Sequence, residues 1–165
     1  MTVPITVVDL DPQEFAPFGD VIEVKGEPTS MINRGRCGRY HDLAQLDFHD
    51  AGRAGISLFR SQPITLPLQL DLVERHPLGS QAFLPMSGVN YLVVVAEDDE
   101  GCPAGLKAFR ARPDQGVNYH RNVWHAVLMP IGRAAVFAVV DWIGSKQNLE
   151  EFHFSKAVTI NGEVV

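Results

Sequence analysis

Short stretches of apolar residues, many of them alternating with polar ones, recur along the whole chain, and glycine or proline closes most of them. Strand candidates run over Ile5–Val8, Val21–Val24, Gly55–Phe59, Leu66–His76, Leu106–Ala111, Ala126–Met129 and Ala134–Asp141. Val89–Ala96 is nearly all apolar and β-branched, the pattern of a strand buried on both faces, and it stops at the acidic turn Glu97-Asp98-Asp99-Glu100-Gly101. Helix has little room. Asp11-Pro12-Gln13-Glu14 reads as an N-cap, a proline at the first helical position and an N3 glutamate, for a helix of a turn or two that ends by Gly19. The segment Asn148–Phe154 predicts a short helical or irregular crossing, and Val158–Ile160 with Asn161-Gly162 predicts a small final hairpin. Many short strands between turns imply an all-β barrel or sandwich, in a single domain over residues 1–165.

One strand ends in chemistry. Glu74 and His76 lie two apart, so in an extended strand they leave the same face, and that face continues backward to Leu72 and Leu70. Pro77 and Gly79 break the strand, Gln81 follows, and Pro85 with Gly88 marks the next turn. An isolated Glu-x-His is more often solvated than functional. A second histidine-bearing stretch, Asn118-Tyr119-His120-Arg121-Asn122-Val123-Trp124-His125, raises the weight of the first.

Charge narrows the partners. A net charge of −6 without a basic cluster to offset it argues against a nucleic acid partner. Met31 to Asp42 is a local exception, with Arg34, Arg36 and Arg39 among glycines, and arginine's planar fork suits a carboxylate. Cys37 and Cys102 form no Cys-x-x-Cys pair, and a chain of this size needs no disulfide, so a reduced, cytoplasmic setting is expected. Met1 to Leu10 carries no secretory pattern and no apolar run reaches membrane-spanning length, so no membrane partner is expected.

The two histidine-bearing stretches resemble the two motifs of the cupin superfamily. Glu74-x-His76, Gln81 and Gly88 keep the spacing of the first motif, with Glu74 where its first histidine stands and Gln81 where its glutamate stands; Pro113, Gly116 and His120 match the second. The resemblance implies an antiparallel, jelly-roll-like β-barrel and a divalent metal held by Glu74, His76, Gln81 and His120. Longer strings, Glu74 to Phe83, Gly116 to His125, and Ile32-Asn33 with Arg39-Tyr40-His41-Asp42, are similar to the ureidoglycolate lyase family of allantoin breakdown. That likeness implies a homodimer that splits (S)-ureidoglycolate into glyoxylate and urea, with nickel or manganese as a candidate cofactor.

Such a reaction needs a base for the carbinol hydroxyl, an acid for the departing nitrogen and a cation for the substrate carboxylate. His76, His120, His125 and Glu74 are of the right types for acid–base work or for ligating a metal. Arg39 and Arg121 are the expected carboxylate partners, Asn33 and Asn118 the expected readers of the urea group, and Tyr91 and Trp124 the expected walls. Two other classes fit the same frame: another cupin metalloenzyme acting on a small carboxylic acid, and a non-catalytic cupin that binds a small molecule. The neutral Gln81 weighs against an iron oxygenase, and paired acid–base candidates weigh against a pure binding module.

Overall fold

The computed structural model describes residues 4–162. Asp11 caps the helix α1 (Pro12–Phe15) as its sequence predicts: its carboxylate accepts from the backbone N–H groups of Gln13 and Glu14 at 2.9 and 3.2 Å. The helix buries Phe15 edge-on against Phe109, with ring centroids 5.9 Å apart.

All other regular structure is strand. β1 (Ile5–Asp9), β6 (Leu68–Arg75), β8 (Tyr91–Asp99), β9 (Cys102–Ala111), β11 (Trp124–His125) and β14 (Glu150–Asn161) form a ring in the order β11-β6-β14-β1-β9-β8. The ring closes because β11 pairs on both sides: His125 stands opposite Glu74 of β6, and Trp124 and His125 stand opposite Ala96 and Val95 of β8. β12 (Met129–Pro130) adds to β8. Pairing is antiparallel except at β1, which runs parallel to both β14 and β9. A second sheet has the order β2 (Gly19–Ile22), β10 (Gly116–Tyr119), β7 (Gln81–Pro85), β13 (Ala135–Ile143), β5 (Arg53–Ser61), all antiparallel. The basic stretch forms a hairpin of β3 (Ser30–Ile32) and β4 (Cys37–Arg39) with every residue exposed.

Burial of β8 on both faces follows from these two layers. Tyr91, Val93 and Val95 pack with Phe83, Val117, Phe137 and Val139 of the second sheet, whereas Leu92, Val94 and Ala96 pack with Leu70, Val73, Trp124 and Ile160 of the ring. Each such side chain contributes about 1.5–3 kcal/mol by leaving water.

Two expectations need correcting. Asn148 to Phe154 is no helical crossing: Glu150 onward belongs to the twelve-residue β14, which pairs with β6. Val158–Ile160 is the far half of that same strand, and the return strand of the expected final hairpin falls on 163–165, outside the described residues. The face of β6 also switches. Leu70 and Val73, three apart, enter the same core cluster, next to a register irregularity between His153 and Val158 of β14, so Glu74 leaves the face opposite Val73 rather than extending an unbroken Leu70–Leu72 stripe.

Candidate active site

The end of β6 and the strand that closes the ring bring three ligating side chains together. Nε2 of His76 and Nε2 of His125 each lie 3.7 Å from Oε1 of Glu74, and one ligating atom from each of the three residues lies within 4.8 Å of the others. The two imidazole centroids are 5.2 Å apart. Neither 3.7 Å separation is a hydrogen bond.

Each imidazole is held by its other nitrogen. His76 Nδ1 meets the carbonyl of Asn148 at 2.7 Å and His125 Nδ1 meets the carbonyl of Val123 at 3.0 Å. A carbonyl only accepts, so both Nδ1 atoms donate, and each Nε2 is the nitrogen turned toward Glu74. Among the described residues neither Nε2 has a hydrogen-bond partner, and both are buried. Asn148 also anchors the turn beyond His76, since its side-chain oxygen accepts from the Leu78 N–H at 2.6 Å. Tyr119 stacks on His125, with centroids 4.1 Å apart and planes tilted by 11°.

Burial sets the protonation. It pushes the Glu74 carboxyl above its usual range, helped by the charge of Glu151 and opposed by His76. It pulls His125 down to about 3, with the proximity of His76 adding to the shift and the Val123 carbonyl opposing it. His125 is therefore neutral at physiological pH. Burial, then the Glu74 charge, holds the Tyr119 phenol well above its usual range.

Two imidazoles, each anchored through its Nδ1, and a carboxylate form a donor set that a divalent cation accepts. Atoms about 2.1 Å from a common ion stand roughly 3–4 Å apart, as the two 3.7 Å separations do here. Glu74 and His125 open onto a cavity of about 400 Å³, walled by Phe59, Phe83, Val127 and Leu128 and rimmed by Arg60 and Ser61.

The remaining residues named from the sequence make other contacts. His120 Nε2 is 3.4 Å from Asp20 Oδ2, a carboxylate oxygen that also accepts from Asn118 Nδ2 at 2.9 Å and from the Gln45 N–H at 3.0 Å. Asn118 is buried in that grouping. Gln81 donates from Nε2 to Asp141 Oδ2 at 3.2 Å. Arg121 donates to Asp47 and to the Pro77 carbonyl, and Arg39 to His41, on the surface. Asn33 sits at the tip of the β3–β4 hairpin and lines a shallow surface hollow with Arg34, Arg36 and Cys37. Tyr91 is a core residue whose hydroxyl donates to the Gln115 carbonyl. Trp124 faces the ring core, donates to Asp98 and carries the Arg75 guanidinium 4.3 Å above its ring.

Sequence reasoning placed the second motif's histidine at His120, after Gly116. The structure turns at Asn122, whose φ of 65° is left-handed, and delivers His125 three residues later. An asparagine tolerates that conformation nearly as glycine does, so Asn122-x-x-His125 was the readable signal. Phe83 was readable too, since it lies two residues beyond Gln81 on the same face. Arg60 had no signal, because nothing local marks the rim of a cavity.

The model of a family described as "Ureidoglycolate lyase" matches residues 2–161. A "Ureidoglycolate lyase" of Rhodobacter capsulatus is 56% identical over 158 residues, 96% of this chain and 98% of that protein. One of Brucella melitensis biotype 2 is 50% identical over 92% of this chain and 90% of its own length. "Ureidoglycolate lyase 2" of Rhizobium meliloti is 48% identical over 93% and 95%.

Proposed function

The chain belongs to the ureidoglycolate lyase family, and from that premise we propose that it cleaves ureidoglycolate to glyoxylate and urea. The observation that carries the reading at the level of atoms is the half-buried Glu74–His76–His125 cluster at the base of a cavity sized for a small acid.

The reaction is an elimination, and its proton balance is simple. The carbinol O–H loses a proton, the C–N bond breaks, a carbonyl forms, and the departing nitrogen gains one proton; no water is consumed. Glu74 suits this transfer, because burial raises its proton affinity. It takes the hydroxyl proton and returns it to the leaving nitrogen. The neutral His125 offers its Nε2 to a substrate N–H beside the Glu74 carboxylate, and His76 holds the far side of the cluster. Glu74, His76 and His125 would hold a divalent ion such as nickel or manganese, which when bound would supply Lewis-acid polarisation and lower the hydroxyl pKa. Arg60 on the rim has no acidic partner among the described residues and is placed to receive the substrate carboxylate.

We assign the enzyme to a homodimer. β5 is the edge of its sheet and exposes Ile56 (81%) and Leu58 (66%) on one face, an apolar edge that a second copy would cover. We place it in the cytoplasm: both cysteines are free and exposed, which suits a reducing compartment. Among the described residues no helix is long and apolar enough to cross a membrane.

The test is to incubate purified protein with ureidoglycolate and follow glyoxylate and urea together. Equal release of both, faster than the spontaneous rate, is the expected result. Ammonia in place of urea would indicate a different reaction.

A further inference from the structure

The inner face of the second sheet carries a polar row that the mechanism above leaves unused. Val117, Phe83 and Val139 are neighbours across β10, β7 and β13, and Phe83 lines the cavity. Two residues further along each strand, on the same face, come Tyr119, Gln81 and Asp141. Tyr119 is the residue stacked on His125, so this row runs level with the catalytic cluster.

Gln81 is only 6% exposed. Its Nε2 is committed to Asp141 Oδ2, which fixes the planes of both groups. Gln81 Oε1 and Asp141 Oδ1 are then two buried acceptors with no donor among the described residues. A buried acceptor left unpaired costs roughly 1–3 kcal/mol, so two side by side call for a ligand that brings two donors.

We propose that Gln81 and Asp141 form a subsite for a terminal N–H2 group, and that they read the ureido end of the substrate. This rests on the ureidoglycolate reading. A terminal ureido NH2 offers two N–H donors on one planar nitrogen, the complement of two adjacent acceptors. The negative Asp141 also repels a carboxylate, so the ureido end of the substrate, and not its acid end, faces this row. The pair is thus a specificity device, and the carbinol chemistry stays with Glu74.

N-acetyl-α-hydroxyglycine is the probe. It keeps the carbinol and the carboxylate, replaces the terminal NH2 by a methyl group, and yields glyoxylate and acetamide on the same cleavage. Glyoxylate release is measured for both compounds with wild type and with Asp141→Asn, which keeps the shape and turns an acceptor into a donor. Wild type is expected to favour ureidoglycolate in kcat/KM by about 10³-fold or more, since a site built to hydrogen-bond an N–H rejects the analogue lacking it. Asp141→Asn is expected to lower kcat/KM for ureidoglycolate by about 10²-fold and to change the acetyl compound by less than about threefold, collapsing the preference. Should thermal melting show Asp141→Asn to be unfolded, Gln81→Leu takes its place in the same comparison. A folded variant with wild-type preference, or a wild type that cleaves both compounds equally, overturns the subsite. A wild type that releases no glyoxylate and urea from ureidoglycolate overturns the lyase reading instead.

Discussion

Two histidine–carboxylate groupings draw on histidines close together in sequence, His120 and His125, and differ in how those side chains are held. Around Asp20, one carboxylate oxygen already accepts two hydrogen bonds and faces a half-exposed His120 at 3.4 Å. Around Glu74, two imidazoles approach at 3.7 Å without bonding, and among the described residues neither Nε2 has a hydrogen-bond partner. The first grouping spends the Asp20 oxygen on docking the segment around Gln45 onto β10 and sets a single imidazole beside it, although His120 Nε2 and Asn118 Oδ1 there are also buried without a partner among the described residues; the second sets two imidazoles, each anchored through Nδ1, against one carboxylate. Neither residue type nor an unpaired nitrogen separates the two groupings. The number of anchored ligands converging on one carboxylate does.

The sharpest test of that contrast is pH. His125 has a folded pKa of about 3 against an unfolded value near 6.5, so its contribution to stability is present above 6.5 and is lost as pH falls toward 3. Over that window the metal-free protein should lose on the order of 5 kcal/mol from this group alone. Glu74, raised, works in the opposite sense: its contribution is present below the ordinary glutamate value and is lost as pH rises through the folded one. Denaturant titrations across the window should show a steep fall in wild type and a shallow one in His125→Gln; equal slopes would mean that His125 is not held neutral.

Activity should divide the same way. His125→Ala or Glu74→Gln should lower kcat by about 10²–10³-fold, while His120→Ala should leave kcat within tenfold, as steady-state glyoxylate assays would read. Reversed magnitudes would transfer the chemistry to the Asp20 grouping. Arg60→Ala should raise KM for ureidoglycolate roughly tenfold with little change in kcat, whereas Arg39→Ala and Arg121→Ala, whose guanidinium groups are engaged elsewhere, should change KM less than about threefold. The smallest effect belongs to stability at the spent grouping: His120→Ala should cost about 1 kcal/mol in denaturant unfolding, the worth of one contact to a satisfied carboxylate.

Much of the frame was legible because it rests on local chemistry. The cap at Asp11, the turn at Glu100-Gly101 and the doubly buried β8 are each dictated within a few residues. Glu74 and His76 were legible for the same reason. What escaped depends on distant partners. The parallel seat of β1 between β14 and β9 is decided by two strands far off in sequence. β14 reads as irregular because Glu150, Glu151, Ser155 and Lys156 blur the alternation of Phe152 and Phe154, and only pairing with β6 makes it one strand. His125 was legible as an acid–base candidate but not as the partner of Glu74 and His76, because its turn is made by an asparagine where a glycine was sought.

The ring of strands is closed by a seam only two residues long, and one of those residues is His125. So short a seam contributes few backbone hydrogen bonds, and it is the segment from which fraying would begin. Its register, His125 against Glu74, is also the register that creates the cluster. Any cation or substrate that bridges these two side chains joins β11 to β6 a second time, and it stabilises the folded chain in proportion to the logarithm of its concentration over its dissociation constant. Occupancy and barrel integrity are then one equilibrium: amide exchange at Trp124 and His125 should slow on ligand binding before it slows anywhere else.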